Sequence, residues 1–226
     1  MTTLLHLDSS ARPGHSGIDA HGSYTRRLSA RFVARWQALH PDDQIIYRDV
    51  GQQPPQPVNA DWIAAAFTPP GQRTPGMQQA LAESDALVDE LIAADLIVVG
   101  LPMYNFGPPA QFKAYLDNIV RVGRTFGFDR SNATEPYRPL LDSQGKRLVL
   151  LSARGDHGYG PGGPQAANNH AEPLVRAVFA YIGITECREL AIEYGEFEDE
   201  QLARSVAQAE ADVDRLVTEL ASLAPA

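Results

Sequence analysis

The segment Asp95–Leu101 constrains the fold of this 226-residue chain more than any other part of the sequence. Its residues Leu96–Val99 are all apolar, with no alternation between apolar and polar positions. A strand of this kind is covered on both faces, as in a parallel sheet that lies between two layers of helices. The apolar runs Thr3–Leu7 and Arg147–Leu151 fit further buried strands of the same sheet.

Strand-like and helix-like segments alternate along the chain. Apolar side chains recur every three or four residues from Tyr24 to Leu39, which predicts an amphipathic helix with Ser23 as its N-cap. The alternation predicts one α/β domain over residues 1–226, with a five-stranded parallel sheet and helices on both faces. The predicted strands are Thr3–Leu7, Gln44–Val50, Asp95–Leu101, Arg147–Leu151 and Arg188–Glu193. The predicted helices are Tyr24–Leu39, a short one after Asn59 or Asp61, Met77–Ala94, Ala110 to about Val122, Pro173–Ile182 and Glu198–Leu223, with a hairpin-like excursion at Gly123–Gly145.

The composition argues against several classes of partner. The chain has 19 Lys and Arg against 28 Asp and Glu, a net charge of -9 that opposes wholesale contact with nucleic-acid phosphates. The single Cys187 excludes an intramolecular disulfide framework, and the 6 histidines form no ligand cluster, so no metal site is expected. The longest apolar runs are far shorter than the ~20 residues that span a bilayer. We therefore expect a soluble, cytoplasmic protein that binds neither nucleic acid nor membrane.

Three polar loops follow predicted strands, namely Ser9–Ser23, Pro102–Pro109 and Ser152–Asn169. Ligands of open parallel sheets bind beyond the carboxyl ends of the strands, near the point where the strand order reverses. Because these three loops leave the carboxyl ends of strands in one sheet, we expect a binding site where they meet.

The first of these loops has the features of a phosphate site. It carries Ser10 and Ser23 and runs into a helix that contains Thr25, so hydroxyls and free amides can hold a phosphate without a lysine. Arg26 and Arg27 would add long-range attraction. The loop has neither G-x-x-x-x-G-K-[ST] nor G-x-G-x-x-G, which favours a monophosphate over a triphosphate or a dinucleotide. The alternative is a serine-capped helix after an ordinary surface loop.

The second loop, Pro102–Gly107, is rich in aromatic and amide groups. Tyr104 and Phe106 flank Asn105 directly after the most apolar strand. A flat ring could stack on such side chains while backbone amides meet its heteroatoms. The alternative is that Tyr104 and Phe106 only cover the top of the core.

This loop and the helix after it resemble the signature of the bacterial FMN-dependent NADH-azoreductases, which are flavodoxin-like NAD(P)H:quinone oxidoreductases. The matching residues are Pro102-Met103-Tyr104-Asn105-Phe106 and Gln111–Asp117. Further stretches resemble the same family in the same order, namely Asp8–Arg12, Ser23–Thr25, Arg124–Phe126, Ser152–Gly155 and Tyr181–Ile184. The similarity covers nearly the whole chain.

The resemblance implies a flavodoxin-like three-layer fold with strand order 2-1-3-4-5 and a homodimer with FMN at the subunit interface. It implies that NADH or NADPH is oxidised and that a quinone or azo compound is reduced by two electrons at the same place, with ping-pong kinetics and no catalytic side chain. The residues it assigns to FMN are Ser10, Ser23, Tyr24 and Thr25 at the phosphate, Met103, Tyr104, Asn105 and Phe106 along the ring, and Ala153, Arg154, Gly155 and Asp156 at its far edge. Phe128 and Tyr181 are expected to wall the substrate pocket.

Two departures from the family pattern affect this site. The first loop is longer than usual, from Pro13 to Gly22, so Ser16 competes with Ser23 as a phosphate ligand. The family often has Ser-Arg-Gly-Gly where this chain has Ala153–Asp156.

The carboxylate of Asp156 leads to a testable expectation. Near the pyrimidine edge of a flavin, it would disfavour the anionic reduced form, whereas Arg154 would favour that form. We therefore expect Asp156→Gly to raise the flavin midpoint potential in a redox titration. An unchanged potential would mean that this carboxylate points away from the flavin.

Two other functions compete with the enzyme. One is a flavodoxin-like electron carrier or flavin-binding module without small-molecule turnover, and the other is a structural dimer that binds no flavin. The aromatic excursion at Gly123–Gly145 favours the enzyme, because a carrier does not need a walled substrate pocket. Stimulation of NADH oxidation by a quinone separates enzyme from carrier, and protein that stays colourless after incubation with FMN indicates the third function.

Overall fold

The five predicted strands form one parallel sheet in the computed structural model, which describes residues 1–223. The strands are β1 (Thr3–Asp8), β2 (Gln44–Asp49), β3 (Leu96–Pro102), β4 (Phe126–Phe128), β5 (Tyr137–Pro139), β6 (Arg147–Ala153) and β7 (Glu186–Ile192). The α-helices are α1 (Tyr24–Leu39), α2 (Ala60–Phe67), α3 (Pro75–Ala93), α4 (Ala110–Ile119), α5 (Glu172–Tyr181) and α6 (Glu200–Leu223). The sheet order is β2-β1-β3-β6-β7, while β4 and β5 pair separately. Because β6 and β7 are the fourth and fifth strands of this sheet along the chain, the observed order is the predicted order 2-1-3-4-5. The predicted fold class is confirmed as well.

Strand β3 is apolar throughout because it is covered on both faces. All seven of its residues are buried, and it lies between β1 and β6. Ile97 and Val99 pack into one hydrophobic core, and Leu96 and Val98 pack into a second core on the other face of the sheet. No position of this strand faces solvent, which explains the absence of alternation in its sequence.

The two cores have different helices. Phe112 of α4 and Phe179 of α5 pack on one face of the sheet, whereas Phe32 of α1 and Val217 of α6 pack on the other. Burial of one apolar stripe per helix holds the three layers together. The carboxyl ends of the parallel strands are thereby brought to one edge of the sheet.

Local signals set most of the helix boundaries. Helix α1 begins and ends at the predicted residues, and the Ser23 hydroxyl accepts a hydrogen bond from the amide of Arg26 at 3.3 Å, as expected of an N-cap. Helix α4 ends at Ile119, before the predicted Val122. The Thr125 hydroxyl donates to the Ile119 carbonyl at 2.7 Å and accepts from the amide of Arg121 at 2.8 Å, which replaces the next helical turn.

Two further elements lie at the edge of the fold. The predicted excursion is an antiparallel hairpin in which Phe126 pairs with Pro139 and Phe128 with Tyr137. Strand β7 begins at Glu186, earlier than predicted. It is an edge strand that pairs only with β6, so its first residues can be polar, and the sequence pattern therefore did not indicate them as part of a strand. Among residues 1–223, no helix has both the length and the apolar composition needed to cross a membrane.

Candidate functional site

A cleft opens at the carboxyl ends of β1, β3 and β6, which are neighbours in the sheet. The strand order reverses between β1 and β3, so the cleft lies at the position where open α/β sheets bind their ligands. The three predicted loops meet there, together with the loop between β7 and α6. The residues that line the cleft are Ser10, Arg12, Ser23, Tyr24, Thr25, Pro102, Met103, Tyr104, Ala153, Arg154, Gly155, Gly195 and Glu196.

The first wall of the cleft is the start of helix α1. The hydroxyls of Ser23 and Thr25 are buried and lie 3.0 Å apart, and Ser10, which is also buried, lines the same cleft from the loop after β1. The first amides of an α-helix have no partner within the helix, and its N-terminus carries a partial positive charge. This wall can therefore hold an anion without a lysine.

The second wall is a tight turn after β3. Tyr104 and Gly107 exchange backbone hydrogen bonds of 2.9 and 3.2 Å, and the two residues between them, Asn105 and Phe106, have φ angles of 48° and 72°. Two consecutive side chains in the left-handed region are strained by about 1–2 kcal/mol each. The turn persists because its surroundings hold it, for example through the hydrogen bond from the amide of His170 to the Phe106 carbonyl at 2.8 Å.

The strain at Phe106 gives a direct prediction. Glycine is usually less favourable than alanine by about 0.5–1 kcal/mol in regular structure, but at a positive φ the order is reversed. We expect Phe106→Gly to be more stable than Phe106→Ala by about 1 kcal/mol, because both variants lose the same ring and only glycine loses the strain. Urea unfolding of the two variants measures the difference, and an alanine variant of equal or greater stability would contradict it.

The third wall is the loop after β6, where Arg154 turns its guanidinium into the protein. The side chain is 7% exposed and pairs with Glu172 at 2.7 Å and with Glu193 at 3.0 Å. Burial alone would raise the pKa of Glu172, but the Arg154 charge and its hydrogen bonds outweigh burial and hold this pKa below its ordinary value. The positive charge of Arg154 is therefore matched by carboxylates inside the protein, although Arg154 is one of the residues that line the cleft.

The structure brings together nine of the twelve residues that the resemblance assigns to the cofactor, and leaves three outside the lining of the cleft. Asn105 and Phe106 lie in the adjacent strained turn. Asp156 accepts hydrogen bonds from the amide and the ring of His157 at 2.8 and 2.7 Å, and these bonds hold its pKa below the ordinary value. Ser16, the competing phosphate ligand, does not line the cleft either.

The two residues expected to wall a substrate pocket lie in a separate group of rings. Phe128 is 5.0 Å from Tyr137, and Tyr137 is 6.2 Å from Tyr181, measured between ring centroids. Phe126 lies beneath them, 5.4 Å from Tyr181. We call these four residues the hairpin aromatic patch. Three of them are between 41% and 55% exposed.

Sequence reasoning missed part of the cleft. Gly195 and Glu196 lie in the loop between β7 and α6, which the sequence analysis does not assign to the site, and their amides donate to the carbonyls of Arg154 and Gly155 at 3.0 Å each. A Cβ at Gly155 would lie 2.5 Å from the Glu196 carboxylate, which is the end of an exposed side chain that can rotate away. The position of this loop could have indicated its role in the sequence, because it also follows the carboxyl end of a strand in the same parallel sheet.

Comparison with known proteins agrees with this geometry. The family model described as "Flavodoxin-like fold" matches residues 2–216. An FMN-dependent NADH:quinone oxidoreductase 2 of Idiomarina loihiensis is 42% identical over 97% of this chain and 91% of its own length. An FMN-dependent NAD(P)H:quinone oxidoreductase 1 of Pseudomonas aeruginosa is 44% identical over 79% of this chain and 84% of its own.

A solved azoreductase structure from Bacillus anthracis has the same fold, with a TM-score of 0.82 at 23% identity, over 97% of this chain and 100% of that one. The resemblance seen in the sequence is confirmed by the family match and by the relatives. The chain therefore belongs to the flavodoxin-like fold family that includes these quinone oxidoreductases.

Proposed function

We propose that this protein is an FMN-dependent oxidoreductase that uses NADH or NADPH to reduce quinones and azo compounds. The observation that carries the proposal is the convergence of a hydroxyl-rich helix start, a strained aromatic turn and the β6 loop on one cleft. The relatives at 39–45% identity include FMN-dependent NADH:quinone and NAD(P)H:quinone oxidoreductases, which supports the same activity.

The residues of the cleft fit FMN. Ser23 and Thr25 offer two buried hydroxyls 3.0 Å apart at a helix N-terminus, which suits a phosphate group. Met103 and Tyr104 offer an apolar and an aromatic surface on the neighbouring wall, which suits a flat ring. Gly155 lines the opposite wall, where its carbonyl accepts a hydrogen bond from the Glu196 amide at 3.0 Å.

When bound, FMN supplies the two-electron chemistry, and the protein supplies position and electrostatics. Ser10, Ser23 and Thr25 would hold the phosphate, and the Tyr104–Gly107 turn would fix one side of the ring. The backbone of residues 153–156 would meet the far edge. The nicotinamide and the acceptor would use the same open side of the cleft in turn, so we expect ping-pong kinetics. No side chain of the cleft has to act as a nucleophile.

We also propose a homodimer and a cytoplasmic location. The hairpin aromatic patch supports the dimer, because Phe128, Tyr137 and Tyr181 are 48%, 55% and 41% exposed and lie together. A group of exposed rings of this kind is typical of a contact surface. Light scattering at micromolar concentration tests the dimer, and a monomer would contradict it.

The cytoplasmic location is proposed because NADH and NADPH are available there.

The decisive experiment for the function is steady-state oxidation of NADH by the yellow, FMN-loaded protein with and without a quinone. We expect strong stimulation by the quinone and parallel lines in a double-reciprocal plot with varied NADH and quinone. A rate that the quinone does not change would favour an electron carrier. Protein that stays colourless after incubation with FMN and desalting would contradict the cofactor itself.

A further inference from the structure

Arg26 lies buried beneath the first wall of the cleft. Its side chain is 3% exposed, whereas the sequence alone led us to expect Arg26 as a source of long-range attraction for a phosphate. The guanidinium donates to the carbonyl of Arg12 at 2.7 Å through Nε and to the carbonyl of Ser10 at 2.9 Å through Nη2. It therefore holds two peptide groups of the loop that follows β1.

The charge of Arg26 is matched on its other side. The guanidinium forms a forked pair with Asp49 at the end of β2, with distances of 2.6 and 2.8 Å, and lies 3.4 Å from Asp8 at the end of β1. Two carboxylates thus neutralise the cation and fix its position. Arg26 is anchored to the sheet, and it is not one of the residues that line the cleft.

The peptide group between Ser10 and Ala11 shows what this anchor does. Its carbonyl points down to Arg26, and its amide donates to the Tyr104 hydroxyl at 3.2 Å. A trans peptide is planar, with its carbonyl and its amide on opposite sides, so holding one end sets the other. The same Tyr104 hydroxyl lies 3.4 Å from the Ser10 hydroxyl. The orientation of Ser10 and its link to Tyr104 therefore depend on Arg26.

We infer that Arg26 is a positioning residue, which shapes the Ser10–Arg12 loop so that the Ser10 hydroxyl faces the FMN phosphate. The inference rests on the proposed function. Arg26 acts through the loop and not by contact with the cofactor. Its loss should therefore weaken the interactions of the phosphate. Tyr104 keeps the backbone hydrogen bonds of its own turn with Gly107, so the interactions of the ring should stay nearly unchanged.

The test compares FMN with riboflavin, which has the same ring and no phosphate. Full-length protein is freed of flavin by dialysis, and both affinities are measured by quenching of flavin fluorescence. For Arg26→Met we expect the dissociation constant of FMN to rise at least about tenfold and that of riboflavin to stay within about twofold. Arg26→Lys should lose FMN affinity in the same direction, because an ammonium cannot serve two carbonyls and a forked carboxylate pair at once.

Arg31→Met is the matched control, since Arg31 lies on the same helix and pairs with Asp214 at 2.8 Å, away from the loop. It should change neither affinity. Equal loss of FMN and riboflavin binding in Arg26→Met, or no loss of either, would overturn the inference. If Arg26→Met fails to fold, Asp49→Asn weakens the anchor and keeps Arg26. Selective loss of FMN in that variant supports the inference, and its absence overturns it.

A failure of the proposed function would look different. In that case the unaltered protein would bind FMN no more tightly than riboflavin, before any substitution is made.

Discussion

Gly51→Ala is expected to weaken FMN binding by about tenfold or more, although Gly51 does not line the cleft. Gly51 lies just after β2, separated from it by Val50, and its amide donates to the Asp8 carbonyl at 3.0 Å. A Cβ at this position would lie 2.0 Å from the Ser10 carbonyl oxygen and 2.6 Å from the carbon that carries it. Backbone atoms cannot rotate away, so the Ser10 loop has to move. Returning the displaced loop to the geometry that holds the phosphate would cost this overpacking energy, about 1–3 kcal/mol, and about 1.4 kcal/mol corresponds to a tenfold change in affinity.

Gly71→Ala is the matched control for this prediction. An added Cβ at Gly71 meets no atom within 4 Å, and neither glycine has a positive φ angle. We expect Gly71→Ala to bind FMN as the unaltered protein does, whereas Gly51→Ala shows a raised dissociation constant in the same fluorescence titration. If the two variants bind FMN equally well, the loop tolerates displacement and its shape does not determine phosphate binding.

The fold could be predicted because its signals are local. The apolar run Leu96–Val99 encodes burial on both faces of the sheet, and Ser23 encodes the start of α1 through a hydrogen bond within one turn. The strand order depends on more than local pattern, and it was obtained from the resemblance to a family. The end of α4 could not be predicted from periodicity, because it depends on Thr125, which returns from the following turn to bond Ile119.

The candidate site could be predicted only in part for the same reason. Its loops are local features, but their contacts join residues that are far apart in the sequence. Nothing near Gly51 in the sequence indicates that it touches Ser10, and nothing near Arg26 indicates Asp49 as its partner. Even where the sequence matched the family, as at Arg154, it did not show that the guanidinium turns inward to Glu172. Side-chain direction was therefore the information that the sequence lacked.

The pair formed by Arg154 and Glu172 gives the second large effect. Glu172 is 1% exposed, so removal of Arg154 leaves an ionised carboxylate in the protein interior without its cation. We expect Arg154→Met to lower the free energy of unfolding at neutral pH by about 3–5 kcal/mol. The matched control is Arg176→Met. Arg176 is 51% exposed and pairs with Glu189 at 3.0 Å, and the loss of such a pair costs at most about 1 kcal/mol.

The pH dependence of stability distinguishes a lost ion pair from lost packing in Arg154→Met. In the unaltered protein the pKa of Glu172 is lower when folded than when unfolded, so the pair stabilises the protein above the unfolded pKa and this contribution is lost as the pH falls through the folded pKa. In Arg154→Met, the burial of Glu172 is no longer opposed by the Arg154 charge, so it raises the pKa of Glu172 in the folded state above the pKa in the unfolded state. The variant should therefore gain stability as the pH falls from about 7 to about 5, while Arg176→Met follows the unaltered protein. Urea unfolding at both pH values measures this difference. If Arg154→Met loses the same free energy of unfolding, relative to the unaltered protein, at both pH values, Arg154 stabilises the loop by packing alone.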